Sequence, residues 1–143
     1  MQKELIENNP ILKKSIEFSL VIIDYCEALD SNRKYIISKQ LLRSATSIGA
    51  NAMEAQNAES KADFIHKIKI SAKESDETQY WLTLCGYAKD YPDCDHLVSK
   101  LNELQKIINA ILGIAKRKNP VNYFFSSSFF NRPIASVIST LAY

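Results

Sequence analysis

Apolar positions recur along this chain at alternating steps of three and four, the period of one helix face. Asn9-Pro10 is a start signal, since Asn can cap and Pro fits a first helical turn. Leu12, Ile16, Leu20 and Ile23 follow as the apolar face of a first long segment, which Asp30-Ser31-Asn32 ends. A second segment, from about Arg33 to Asn57, carries Ile37, Leu41, Ala45, Ile48, Ala52 and Ala55 on one stripe. Ser60-x-x-Asp63 reads as a capping box for a third segment with Phe64, Ile68, Ser71, Ser75, Thr78, Leu82 and Cys85 in line. Tyr91-Pro92-Asp93 ends it and caps a fourth, marked by Leu97, Leu101, Leu104, Ile108, Ile111 and Ala115. Four such segments with short connections predict an all-α protein, an antiparallel up-down-up-down four-helix bundle over residues 1–118. Residues 119–143 differ and form a C-terminal extension. They hold a Phe/Ser cluster (FFSSSFF), one charge at Arg132, and an apolar run over 134–142 too short to span a bilayer. Their aromatic content favours packing back on the bundle or into a neighbouring subunit over disorder.

The stretch Leu41–Leu82 is the most informative part of the pattern. Ser44, Ser47, Gly49, Asn51, Ser71 and Ser75 stand where a helix of this length would normally carry Leu or Ile. Small residues let helices approach closely, and buried polar groups need partners. Gly49 falls within the helical period, where it costs about 1 kcal/mol relative to Ala, so close approach is its expected role. Ser44, Ser47, Asn51 and Glu54 form a polar seam beside the apolar stripe. The turn near Glu59 sets a register in which Arg43 lies beside Ser75, within reach of Glu74 or Glu77. The pairing is expected to enclose a partly buried charge whose loss destabilises strongly. Two roles fit the seam, mutual satisfaction within one subunit and part of a subunit interface.

Composition adds constraints. The chain has 143 residues, few Gly (3) and Pro (4), and 24% charged residues, which favours one helical domain with its own core. Three cysteines, Cys26, Cys85 and Cys94, with no paired spacing read as thiols in a reducing compartment. No apolar signal core opens the chain and no stretch is long enough to cross a membrane, so a cytoplasmic protein without a membrane partner is expected. The net charge of +2 does not by itself imply nucleic acid.

The distribution of charge says more than its sum. The predicted topology gathers Lys13, Lys14, Lys61, Lys67, Lys69, Lys116, Arg117 and Lys118 at one end. The other end gathers Asp24, Glu27, Asp30, Asp90, Asp93 and Asp95, diluted by Arg33, Lys34 and Lys89. The basic end is a candidate phosphate contact, without aromatic residues on the same face for base stacking. Catalytic chemistry is not written in the chain. Asp63/His66 and Asp93/His96 have a spacing seen in bundle metal sites, but each pair starts its own helix, at opposite ends of an antiparallel bundle. No nucleophile elbow, phosphate loop or dinucleotide fingerprint is present. No enzyme activity, metal or cofactor is therefore expected. Val21, Ile22, Ile36 and Ala50 lie off the core stripes and predict an apolar surface that a second copy would cover.

These motifs resemble a bacterial family, the 23S rRNA-intervening-sequence proteins. The resemblance lies in SKQLLRSATSIGAN (Ser38–Asn51), Glu54-Ala55, SKADFI (Ser60–Ile65) and KESDETQYWL (Lys73–Leu82), with a weaker match in EFSLVIIDYCEAL of the first segment. It covers roughly residues 8–116. Ala52-Met53 departs from the Ile-Ala or Ile often found there, Asn57-Ala58 from a common Gly, and 119–143 from the usual short ending. The resemblance implies an up-down bundle that assembles as a ring, typically a homopentamer. Some members are encoded within insertions of large-subunit rRNA genes. A related branch resembles the pentameric accessory proteins of diversity-generating retroelements, which bind nucleic acid and a reverse transcriptase. It supplies no catalytic residues, and Arg43, Ser47, Asn51, Glu54 and Glu77 match motif positions already read as structural. The expected function is an RNA- or nucleoprotein-associated assembly factor, with RNA or a nucleic-acid enzyme as partner; the alternative is a protein-interaction scaffold with no nucleic-acid role.

Overall fold

The computed structural model describes residues 2–117; Lys118 and the segment 119–143 lie outside the described residues. Within them the chain is all-helical, with five helices and no strand. They are α1 (Gln2–Glu7), α2 (Pro10–Ser31), α3 (Tyr35–Ala55), α4 (Lys61–Tyr87) and α5 (Asp95–Lys116). The short α1 was not foreseen: its six residues have no apolar period, and none is buried.

Each long helix packs on the next, and α5 returns to α2, so the four enclose one core. The side-chain contacts run in opposite senses along each neighbouring pair. Asn9 of the α2 N-cap meets Gln56 beyond α3, while Cys26 near the end of α2 meets Ser38 near the start of α3. Glu54 late in α3 meets Lys67 early in α4, and Arg43 early in α3 meets Glu77 late in α4. Tyr25 bonds Pro92 just before α5, and Lys14 pairs with Glu103 further along it.

Helix ends follow the local chemistry, with two exceptions. Ser60 accepts from the Asp63 amide at 3.1 Å and Asp63 accepts from the Glu59 amide at 3.1 Å, so α4 begins with reciprocal bonds. The end of α2 turns through Arg33 in the left-handed region (φ 60), with the Lys34 amide bonded to Leu29 O and the Arg33 amide to Asp30 O, each at 2.9 Å. Asn9 is the N-cap residue of α2 and Pro10 its first residue, but the Asn9 side chain caps nothing. It donates instead from Nδ2 to Gln56 Oε1 at 3.0 Å, tying the start of α2 to the end of α3. Asp93 does not cap α5; Cys94 holds that position without a side-chain cap bond.

The core stripe of α5 is the expected one: Leu97, Leu101, Leu104, Ile108, Ile111 and Ala115 are all buried. In α3, Leu41, Ala45, Ile48, Ala52 and Ala55 are buried and Ile37 is half-buried. In α4, Ile68, Ser71, Ser75, Thr78, Leu82 and Cys85 are buried, with Phe64 half-buried. The expected face of α2 is wrong. Leu12 is buried, but Ile16, Leu20 and Ile23 are 39, 58 and 38% exposed. The face that enters the core is Ile11, Ser15, Phe18, Ile22, Tyr25 and Leu29. Phe18 through Ile23 includes five apolar side chains, so the sequence period on this helix fits more than one face. Ser15 at a core position conceals the right one: a side chain added at Gly49 would put its Cβ 2.9 Å from Ser15 Cβ, so two small residues face each other in a tight contact between α2 and α3.

Candidate interaction surfaces

The polar seam resolves into two kinds of bond. Five contacts cross from α3 to α4. Thr78 donates to Ser44 Oγ at 3.0 Å, both fully buried. Ser71 donates to the Ile48 carbonyl. Arg43 reaches both Glu74 (3.4 Å) and Glu77, and Lys67 pairs with Glu54. Ser47, Asn51 and Ser75, by contrast, bond their own helices: to Arg43 O at 2.8 Å, Ser47 O at 2.9 Å and Ala72 O at 2.7 Å. Back-bonding of this kind satisfies a hydroxyl without a partner on another helix. The register is close to the expected one: Arg43 reaches Glu74 and Glu77, and Ile48 meets Ser71, while Ser44 meets Thr78, one turn beyond Glu74.

Arg43 is not a partly buried charge. Its side chain is 48% exposed, and Glu77 is 35% exposed. Its guanidinium is a solvated fork spanning two carboxylates, so the strong cost expected for its loss does not apply. The pairing has an electrostatic signature nevertheless. The hydrogen bond from Arg43, with a second from Trp81 Nε1 at 3.1 Å, holds the Glu77 carboxyl below its ordinary value. Trp81, Thr78 and Lys67 complete the seam but were not assigned to it; for Thr78 and Trp81 the available signal was a hydroxyl or indole donor one turn after the seam carboxylates Glu74 and Glu77.

The basic end is partly neutralised. Lys13 pairs with Glu7 at 3.0 Å, Lys14 with Glu17 at 3.4 Å and Glu103 at 3.5 Å, and Lys67 with Glu54. Lys61, Lys69, Lys116 and Arg117 make no ion pair among the described residues. Lys69, Lys116 and Arg117 are exposed, and Lys61 is half-buried. Lys116 and Arg117 stand at the end of α5, where they also complement the helix dipole. Lys118 lies outside the described residues.

Apolar surface is more prominent. Besides Ile16, Leu20 and Ile23, the exposed large residues include Tyr35 (59%), Ile36 (81%), Tyr80 (57%) and Tyr87 (87%). Of the four surface positions expected from the pattern, Ile36 and Ala50 are exposed, Val21 is half-buried, and Ile22 belongs to the core. Beside Tyr87 is an open apolar dent of about 340 Å³, lined by Ile37, Leu84, Tyr87, Ala88 and Tyr91. The Lys34 ammonium lies over the Tyr91 ring, 4.9 Å from its centre.

The three cysteines are buried and unpaired. Burial pushes the Cys26 thiol up to about 11, and raises Cys85 and Cys94 as well. Buried thiols held in the neutral form are poor nucleophiles. Among the described residues, no group of three or more His, Cys, Asp or Glu could hold a metal ion. Asp63/His66 opens α4 and Asp93/His96 opens α5, at opposite ends of the helix array. No described helix is long and apolar enough to cross a membrane.

Among the described residues the chain is all-helical, its buried polar groups tie helices together, and it exposes both apolar side chains and unpaired cations. The chain belongs to the 23S rRNA-intervening sequence protein family, whose model it matches over residues 7–110. Among solved structures it is similar to a protein of unknown function from the S23 ribosomal protein family of Bacteroides thetaiotaomicron. The two share 38% identity with a TM-score of 0.68, and the match covers 71% of this chain and 97% of the other. No curated protein matches the chain.

Proposed function

We propose that this protein is a non-catalytic, cytoplasmic, self-associating adaptor built on an antiparallel up-down four-helix bundle. In its assembled form, with a homopentamer as the expected stoichiometry, it serves as an RNA- or nucleoprotein-associated accessory factor. One observation carries the reading: Leu20, Ile36, Tyr80 and Tyr87 are each more than half exposed, an apolar display that a monomer in water leaves uncovered. Family membership supports the RNA association, and Lys61, Lys69, Lys116 and Arg117 are the cations available for phosphates. A single subunit of net charge +2 is a weak polyanion binder, and a ring presents several basic ends at once.

Light scattering tests the assembly: a mass several times 16.2 kDa is expected at micromolar concentration, and a monomer refutes it. RNA binding is tested by titration at about 50 and 200 mM salt, across which phosphate contacts lose affinity steeply. Replacing Lys116 and Arg117 by Glu is expected to abolish that binding while assembly persists. A second reading, a protein scaffold without a nucleic-acid role, is favoured by the glutamates that engage Lys13, Lys14 and Lys67. It takes over if RNA fails to bind at low salt or binds the reversed variant unchanged.

A further inference from the structure

The three thiols gather at the end of the helix array where α4 passes into α5, and two of them share a neighbour. Cys94 Sγ lies 3.5 Å from the Leu82 carbonyl and 4.0 Å from where a Cβ on Gly86 would stand. It therefore rests on the turn of α4 that carries Cys85. The Tyr25 hydroxyl of α2 touches both the Cys85 and the Cys94 thiol and donates to Pro92 O at 2.9 Å. Cys26 is turned elsewhere, its Sγ donating to the Ser38 carbonyl of α3 at 3.5 Å.

The segment between the two thiols, residues 88–94, has few ties to the core. Its side-chain bonds are Tyr25 to Pro92 and Cys94 to Leu82, and the Lys34 ammonium lies over the Tyr91 ring. Asp90 stands in the left-handed region (φ 62), which few non-glycine residues adopt. Cys94 occupies the N-cap of α5 without a side-chain cap bond. A segment held this way opens before the helices part. While it is closed, burial keeps both thiols neutral and inert.

We infer that Cys85 and Cys94 are an intramolecular disulfide site: when segment 88–94 opens to a small-molecule disulfide, the two sulfurs join and pin the start of α5 to the end of α4. One protein thiolate attacks a sulfur of the oxidant and releases one small thiolate, leaving a mixed disulfide; the second attacks that bond and releases the other. The protein gives up two electrons and two protons, and the oxidant takes them up as two thiols. The closed segment already seats Cys94 Sγ on the turn of Cys85, so the link forms without displacing a helix, and Cys26 stays reduced. Neither self-association nor RNA binding enters this inference.

The test incubates the full-length protein with oxidised glutathione at about pH 8, near the ordinary thiol value. Free thiols are then alkylated and the chain is mapped by mass spectrometry without reduction. Trypsin cuts after Lys73, Lys89 and Lys100, so Cys85 and Cys94 fall in peptides 74–89 and 90–100, and Cys26 in another. The expected product has those two peptides joined, an intact mass lower by two hydrogens, Cys26 alkylated and the helical circular dichroism of the parent. Nearness in sequence would favour the same pair in an unfolded chain, so the rate is the second readout. A reaction through global unfolding accelerates steeply in low urea, whereas one through opening of 88–94 barely changes. Tyr25→Phe, which removes the bond to Pro92, should speed the link about fivefold. The inference is overturned by no link, by Cys26 in the link, by glutathione adducts that never resolve, by loss of helix on oxidation, or by a rate that climbs with urea.

Discussion

Gly49→Ala tests the close approach of α2 and α3 because two effects of known sign oppose each other at one site. Replacing Gly by Ala inside a helix favours folding by about 1 kcal/mol. The new methyl, however, would lie 2.9 Å from Ser15 Cβ, well inside the roughly 3.5–4.0 Å of an ordinary carbon contact. Ser15 Cβ is fixed to the α2 backbone and cannot swing aside, so the helices must part by several tenths of an ångström. Parting them strains the bonds that cross the same seam, Ser38 Oγ to Cys26 O at 3.2 Å and Asn9 Nδ2 to Gln56 Oε1 at 3.0 Å. Overpacking of this kind costs about 1–3 kcal/mol. The expected net is a loss of about 1 kcal/mol, or a thermal midpoint lower by about 4 °C. Urea unfolding followed by circular dichroism measures it, at one fixed protein concentration because assembly would shift the apparent stability. The second corner of the cycle is Ser15→Gly, which removes the atom that the methyl meets. Combined with Gly49→Ala it should recover about 1 kcal/mol or more relative to the sum of the single changes. A Gly49→Ala protein as stable as the parent or more so, or a coupling near zero, would show that the contact is not tight and refute the reasoning.

Two further outcomes follow from the seam and the thiols. Arg43→Ala should lower stability only slightly, by an amount that shrinks as salt is added, and carbon-detected NMR should show the Glu77 carboxyl titrating below 4.5 in the parent and moving up in the variant. A carboxyl held low contributes stability above its ordinary value that is lost as pH falls through the folded value, so the pair matters at neutral pH and not in acid. At the other extreme, the Cys26 thiol is raised from 9.0 to about 11, so its contribution is complete below pH 9 and is lost as pH climbs towards 11. Cys26→Ala should flatten that alkaline decline, and at pH 8 a thiol reagent should label the native protein only as fast as it opens; rapid labelling of all three cysteines would contradict their burial.

How much of this was legible depended on the helix. On α5 large apolar residues keep one unbroken period from Leu97 to Ile111, with Val98, Ile107 and Leu112 at its half-buried edge, so the period names the core. On α3 and α4 the small and polar core positions could be followed because apolar residues bracket them: Leu41 and Ile48 around Ser44 and Ala45, Ile68 and Leu82 around Ser71, Ser75 and Thr78. On α2 the period failed, since Ile16, Leu20 and Ile23 are as apolar as the true core residues; what separates the two faces is that one meets Gly49 of α3 through Ser15 and the other meets solvent, which only packing decides. The seam residues were legible by type and spacing, but their partners were not. A serine hydroxyl can bond its own helix or the next, and the choice depends on a backbone separation that no local pattern encodes. Burial of Arg43 was overestimated for a related reason: its long side chain leaves the core edge and ends in water.

Apart from Leu41 and Ile48, the buried positions of α3 carry small side chains, Ser38, Ser44, Ala45, Ala52 and Ala55, with Gly49 set against Ser15 of α2. Large side chains can change rotamer and let neighbouring helices drift; atoms attached directly to the backbone cannot. The spacing of α2, α3 and α4 is therefore set almost by covalent geometry, like staves cut to one width. In a closed ring, copy number is an angle: five members turn 72° per step and six turn 60°, a difference of about 12°. The hard seam therefore fixes the angle between surfaces carried on α2 and surfaces carried on α3, and a methyl added at Gly49 would shift that angle before it unfolded the chain.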